Sequence, residues 1–191
     1  GRIDLLSLSA HKLHGPKGTG ALFIRRGKEL PPFFMGGEQE QKLRAGTENV
    51  PGIAGFGAAI RAASEGFGRR HEHIGMLKKR FVEALKQKVP SMVVNGSLEQ
   101  SVPHIVNLSF PGLKGEVLVH WLEQYDIFVS TGSACHSRGG QASHVLKAMG
   151  VDGKRLEGAI RVSFSEFNTL EEIDFAAVKL AAAVEDLSSL G

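Results

Sequence analysis

Apolar and polar residues change rhythm along the chain, and the changes mark its elements. An apolar run, Ile3-Asp4-Leu5-Leu6-Ser7-Leu8, stops at Ser9, and a second, Ala21-Leu22-Phe23-Ile24, begins after Gly20. Short apolar runs bounded by Gly and Pro predict two strands, the second over 20–26, with a loop between them. From 50 to 88 the apolar residues instead recur every three or four positions: Ile53, Phe56, Gly57 and Ile60, then Ile74, Leu77, Phe81 and Leu85. That period predicts a long helix bridging two domains, with Pro51 in its first turn and a kink or break at Gly66-Phe67-Gly68.

Strands are predicted again at Met92-Val93-Val94, His104–Phe110, Ile127-Phe128-Val129 and Ala159–Phe164. Between them a short helix over 115–124 is expected to turn Val117, Leu118, Trp121 and Leu122 inward. A helical run follows at 143–149, and a closing helix over 171–187 carries Ile173, Ala176, Ala177, Leu180 and Val184 on one stripe. No internal repeat or low-complexity segment interrupts this order.

Composition narrows the class. The chain has 191 residues, 42% hydrophobic and 23% charged, with a net charge of +3. That supports a real core. No polybasic block suggests nucleic acid. No apolar run approaches the ~20 residues of a membrane span, and no secretory leader is expected ahead of the first strand. The single cysteine excludes an intrachain disulfide and a multi-cysteine zinc site, so no metal is expected. It fits a reducing, cytoplasmic compartment. His71-Glu72-His73 does not share one helix face and lacks the His-Glu-x-x-His order, so it reads as a solvated polar face.

The chemistry gathers in two stretches. Ser9-Ala10-His11-Lys12-Leu13-His14-Gly15-Pro16-Lys17-Gly18-Thr19-Gly20 joins the first two strands. Hydroxyl, imidazole and amine groups crowd a strand end, where open α/β sheets place ligands. Lys12 stands where packing begins, and burial would push its amine toward the neutral form that nucleophilic chemistry needs. The local reading is an anion site with a candidate nucleophilic lysine; a basic loop between two strands is the alternative. A phosphate-binding P-loop is excluded, because Gly20 is followed by Ala21 and Lys17 precedes Gly18.

This stretch, Ser-x-His-Lys-x-x-Gly-Pro-Lys-Gly-x-Gly-Ala-Leu, resembles the lysine segment of the cysteine desulfurase family, the NifS/IscS-like branch of the class V aminotransferases. The resemblance implies that Lys12 holds pyridoxal 5'-phosphate, with Ser9 and His11 on its phosphate. The polar segment Gly36-Gly37-Glu38-Gln39-Glu40-Gln41, running to Leu43-Arg44-Ala45-Gly46-Thr47-Glu48-Asn49, resembles the family's Gly-Gly…Arg-x-Gly-Thr segment. It implies that Thr47 reaches the cofactor phosphate of the opposite subunit of a homodimer, with Arg44 shaping the loop. On composition alone the segment is a solvated loop.

The second stretch is Ser130-Thr131-Gly132-Ser133-Ala134-Cys135-His136-Ser137-Arg138-Gly139-Gly140-Gln141. Small residues and glycines suggest a mobile loop, and nearby cations lower a thiol pKa. A lone cysteine is otherwise often a small buried hydrophobe. Ser-x-Gly-Ser-Ala-Cys-x-Ser is similar to the catalytic loop of group I cysteine desulfurases, which makes Cys135 the residue that accepts sulfur as a persulfide. The Cys-His dipeptide also resembles selenocysteine lyases. Arg161, inside an apolar strand, needs an anionic partner, either a structural carboxylate or a ligand. Ile-Arg-x-Ser matches the family's substrate-carboxylate arginine. Where many members have Gly-Arg downstream, this chain has Ser165-Glu166.

The resemblance covers essentially the whole chain but only the C-terminal half of the family. It implies an α/β fold, the C-terminal part of a fold type I pyridoxal-phosphate transferase. Residues 1–67 would end the large cofactor-binding domain and start the bridging helix; 68–191 would form an α+β small domain. Gly1-Arg2-Ile3-Asp4 enters a strand at once, so a fragment, or a chain whose first half lies elsewhere, is expected, and inactivity of this part alone is expected with it, since the resemblance puts other cofactor contacts in that half. The implied reaction takes L-cysteine to L-alanine and passes sulfur to an iron-sulfur scaffold or another acceptor protein. Selenocysteine lyase activity, or a non-catalytic partner in sulfur transfer, are the alternatives.

Overall fold

The computed structural model describes residues 2–131 and 143–189. It divides into two compact units, Gly1–Phe67 and Gly68–Gly191.

In the first unit, β1 (Leu5–Ser9) pairs antiparallel with β2 (Gly20–Ile24), from Leu5 opposite Ile24 to Ser9 opposite Gly20. β2 is thus two residues shorter than the apolar pattern predicts. Leu5, Leu6, Leu22 and Phe23 stay 40–52% exposed. Residues alternate in side along a strand, so both faces of this ribbon are apolar and open among the described residues. A helix, α1 (Val50–Ser64), follows the polar segment. The Asn49 side chain caps it by accepting from the Gly52 N–H at 3.1 Å, meeting one of the orphan donors of a helix start. Phe56 is buried, whereas Ile53 and Ile60 are not.

The long helix expected over 50–88 is two helices, divided at the start of the Gly66-Phe67-Gly68 stretch where a kink or break is expected. α1 ends at Ser64 and α2 spans Phe67–Lys88. Glu65 is extended and Gly66 sits at φ +68°, a left-handed conformation that favours glycine. That pair leaves the helical ladder and breaks it.

The second unit holds the core. β3 (Val93–Val94), β4 (Ile105–Ser109) and β5 (Ala159–Ser163) form an antiparallel sheet in that order. Asn107 stands opposite Arg161. Between β4 and β5 come α3 (Gly115–Glu123), α4 (His144–Ala148) and α5 (Gly153–Glu157), and α6 (Leu170–Ser188) follows β5. One sheet face presents Val106, Leu108, Phe110, Ile160, Val162 and Phe164 to α2, α3 and α6. Phe81 meets Phe164 edge to face at 5.6 Å, a favoured aromatic geometry. On α6, Ile173, Ala177, Leu180 and Ala183 are buried, and Thr169 with Glu172 makes a reciprocal capping box at its start. A smaller cluster, Leu146, Val151 and Ala159, lies apart from this core.

Two expectations fail here. Residues 127–129 form no strand; Phe128 is 77% exposed, and the pairing next to this stretch is an isolated bridge from Ser130 to Arg161. Apolar identity alone does not make a strand: the Ile127 N–H donates back to Leu122 O of α3 at 3.2 Å, and Ser130 alone of this stretch pairs with β5 among the described residues. On α3, Leu118 and Leu122 are buried and Trp121 packs on the core, but Val117 is 42% exposed, one position off the inward stripe.

Candidate active site

The residues between β1 and β2 begin with a single 3-10 turn, Ala10–Leu13. Ala10 is fully buried and anchors it: its N–H donates to Thr19 O at 3.0 Å, and its carbonyl accepts from Gly15 N–H at 2.9 Å. The loop then packs closely on α1. A Cβ at Gly52 would lie 2.5 Å from Thr19 Oγ1, and one at Gly55 2.7 Å from Pro16 Cγ. Glycine at both positions permits that approach.

Anchoring Ala10 fixes its neighbours. Ser9 is half-buried at the strand end, and His11 and Lys12 project from the turn, exposed. Lys12 is therefore not buried within this chain, contrary to expectation, because among the described residues nothing covers it. No carboxylate pairs with Lys12 or His11 among the described residues, and Thr19 Oγ1 is buried there without a partner. The donor set is a hydroxyl at the end of β1, with an imidazole and an unpaired amine on the turn that follows. That set fits a phosphorylated aldehyde: the amine can condense with the aldehyde, and the other donors suit phosphate.

The polar segment after Pro32 is more ordered than a free loop. Phe34 bridges Arg44, and Gln39 Oε1 accepts from Gly46 N–H at 3.2 Å. Glu40, Gln41 and Lys42 are all left-handed, at φ +49°, +56° and +65°, a conformation uncommon outside glycine. Thr47 is exposed. No hydrogen bond or ion pair among the described residues joins it to the Ser9–Lys12 turn.

In the second unit, Arg161 occupies the middle of β5, flanked by Ile160 and Val162, both buried. Its Nε is buried and has no hydrogen-bond acceptor among the described residues. Glu166 is not beside it in function: its carboxylate meets Arg70 Nε of α2 at 3.4 Å. The unusual acidic residue is thus taken up by an ion pair. Cys135 lies outside the described residues, as do Ser133, His136, Ser137 and Arg138.

A group that sequence reading passed over surrounds Asn107. Asn95 Nδ2 donates to Asn107 Oδ1 at 2.7 Å and to Ser109 Oγ at 2.6 Å, and Arg155 Nη2 donates to Asn95 Oδ1 at 2.7 Å. An asparagine within the apolar run Ile105-Val106-Asn107-Leu108 was the available signal. Elsewhere, Lys78 is buried, donating to Ser101 Oγ at 2.7 Å and Val102 O at 2.9 Å; desolvation pushes its pKa down, partly opposed by Glu99.

Among the described residues, no helix is long and apolar enough to cross a membrane. The chain is similar to known proteins. The cysteine desulfurase of Bradyrhizobium diazoefficiens is 44% identical over 97% of this chain and 46% of its own length. That of Klebsiella pneumoniae is 43% identical over 99% of this chain and 47% of its own. A solved structure described as a NifS-like protein superposes with a TM-score of 0.85 at 39% identity, over 97% of this chain and 47% of that one. The chain spans about half the length of the curated relatives it matches. The profile of the class-V aminotransferases matches residues 2–175, a span that takes in the lysine turn, the Arg44–Thr47 segment and Arg161, and the chain belongs to that family.

Proposed function

We propose that the protein containing this chain is a cysteine desulfurase that holds pyridoxal 5'-phosphate, works as a homodimer, and removes sulfur from L-cysteine to give L-alanine. The observation that carries this reading is the Ser9-x-His11-Lys12 turn at the end of β1, with its amine exposed and in no ion pair among the described residues. The names of the relatives support the substrate. On this reading the unit Gly1–Phe67 ends the large cofactor-binding domain and Gly68–Gly191 is the small domain.

Ser9 and His11 hold the cofactor phosphate, and Thr47 contributes to the phosphate of the opposite subunit. The cofactor, when bound, supplies an electron sink for the substrate Cα. Lys12 Nζ anchors it and then, as a neutral amine, moves the proton at the substrate Cα. Arg161 orients the substrate carboxylate, for which its planar fork of donors is suited. The Cys135 thiolate attacks the substrate sulfur: an S–S bond forms, the substrate's carbon–sulfur bond breaks, and its electron pair goes to Cβ, which takes up a proton to give alanine. The persulfide left on Cys135 passes to an acceptor protein such as an iron-sulfur scaffold.

The test uses the full-length protein with added cofactor and L-cysteine. The reading predicts a visible absorbance band and alanine release, both abolished by Lys12→Ala. A band of wild-type intensity in that variant refutes the role of Lys12; alanine release only from selenocysteine makes the protein a lyase of that substrate instead.

A further inference from the structure

The sheet of the second unit has two faces of different chemistry. Val106, Leu108 and Phe110, with Ile160, Val162 and Phe164, enter the core. The alternate positions lie on the opposite face: Asn107 and Ser109 on β4, Arg161 on β5. Asn107 and Arg161 are ladder partners, which places their Cβ atoms roughly 4.5–5.5 Å apart on that face.

The orientation of the Asn107 amide is forced from a distance. A guanidinium only donates. Arg155 Nη2 lies 2.7 Å from one end of the Asn95 amide, so that end is the carbonyl. The other end is then the NH2 group, and its two hydrogens go to Asn107 Oδ1 and Ser109 Oγ. Ser109 Oγ donates back to Arg155 O at 2.7 Å and closes the circuit. Asn95 also donates its backbone N–H to Asn107 O at 2.9 Å, continuing the β3 side of the sheet. Asn107 therefore commits its carbonyl to the β3 side. Its NH2 is the end left for the β5 side, where Arg161 stands.

The ladder pairing thus sets two donor side chains side by side on one face, with no acidic partner for either among the described residues. Arg161 Nε lacks an acceptor among the described residues, and there the Asn107 NH2 makes no hydrogen bond either. Adjacent unfilled donors disfavour one another and favour an anion. We infer that Asn107 is a second binding residue for the substrate carboxylate, donating through Nδ2 beside Arg161, and that Arg155 acts through Asn95 as a positioning residue that holds the amide in the donating orientation. This rests on the reading of Arg161 given under Proposed function.

Asn107→Asp in the full-length protein is the test. The substitution keeps the oxygen that accepts from Asn95 and nearly the same shape, but puts an acceptor where the donor was. KM for L-cysteine should rise about 30-fold or more, because the new carboxylate pairs with Arg161 and repels the substrate, and this rise should exceed any fall in kcat. Asn95→Asp keeps an acceptor for Arg155 but cannot donate to Asn107; it should raise KM by about 3- to 10-fold. An unchanged KM in both variants overturns the inference. A second readout is independent of turnover: acetate is titrated while the Arg161 Nε–H resonance is followed by NMR. Saturable movement in the wild type, lost in Asn107→Asp, supports the shared site; equal acetate affinity in the two proteins overturns it. If acetate binds in this way and cysteine yields no alanine, the anion site stands and the assignment of the reaction falls.

Discussion

Replacing Arg161 by methionine separates two accounts of a guanidinium inside an apolar strand. If it pairs with a structural carboxylate, removing it strands a buried charge, at a cost of about 3–5 kcal/mol. Among the described residues it has no such partner, and its buried Nε is unsatisfied. An unsatisfied buried donor costs roughly 1–3 kcal/mol, and methionine can keep much of the stem's packing without one. Stability should therefore hold or rise, by up to about 2 kcal/mol, which is a gain of ~4–10 °C in Tm for a unit of this size. Substrate binding should move the other way. Loss of a charge-assisted contact of about 1.5–3 kcal/mol raises KM roughly 10- to 150-fold. Thermal unfolding by circular dichroism and steady-state kinetics on the full-length variant supply both numbers. A loss of 3 kcal/mol with unchanged KM would show a structural arginine and refute the reasoning.

Other perturbations have defined outcomes. Thr169→Ala removes the hydroxyl that caps α6 and should destabilise the second unit by about 1 kcal/mol, read from urea unfolding. Leu108→Ala, at a fully buried position, should cost about 2–5 kcal/mol in the same assay. In acid, Asp174 and Glu172 should act together. The hydrogen bond from Arg80 holds the Asp174 carboxyl below its ordinary range, and the Thr169 backbone N–H, then Asn168, does the same for Glu172. Groups with lowered pKa values contribute stability above the unfolded value, and it is lost as pH falls through the folded one. Stability should thus decline below about pH 4, and Asp174→Asn should flatten that decline in a pH series of melts.

Some of this was legible in the chain because local chemistry decides it. Gly and Pro bracket the loop after Ser9, so the end of β1 and the start of β2 follow from the sequence. The three-to-four spacing marks α2, α3 and α6, because each buries one face in a shared core. Other features depend on what lies opposite. Residues 127–129 are as apolar as a strand, yet Phe128 faces outward without a ladder. The apolar runs that flank Lys12 in sequence suggest burial, but Leu5, Leu22 and Phe23 in those runs are themselves exposed. α5 spans five residues with one apolar position, too little for a periodic signal. The Asn107 circuit joins Arg155 to Asn95 across sixty positions, and the role of Glu166 becomes clear only with Arg70 beside it.

The account centres on Lys12 and Cys135 serving one reaction, and a mass measurement tests that most directly. Full-length protein is loaded with cofactor, given L-cysteine without a sulfur acceptor, digested under non-reducing conditions, and the peptide carrying Cys135 is weighed. The account predicts that this peptide gains one sulfur atom, with about one alanine released per sulfur gained, and that Lys12→Ala shows neither. Alanine release with an unmodified Cys135 peptide, or release undiminished in Cys135→Ser, would contradict it.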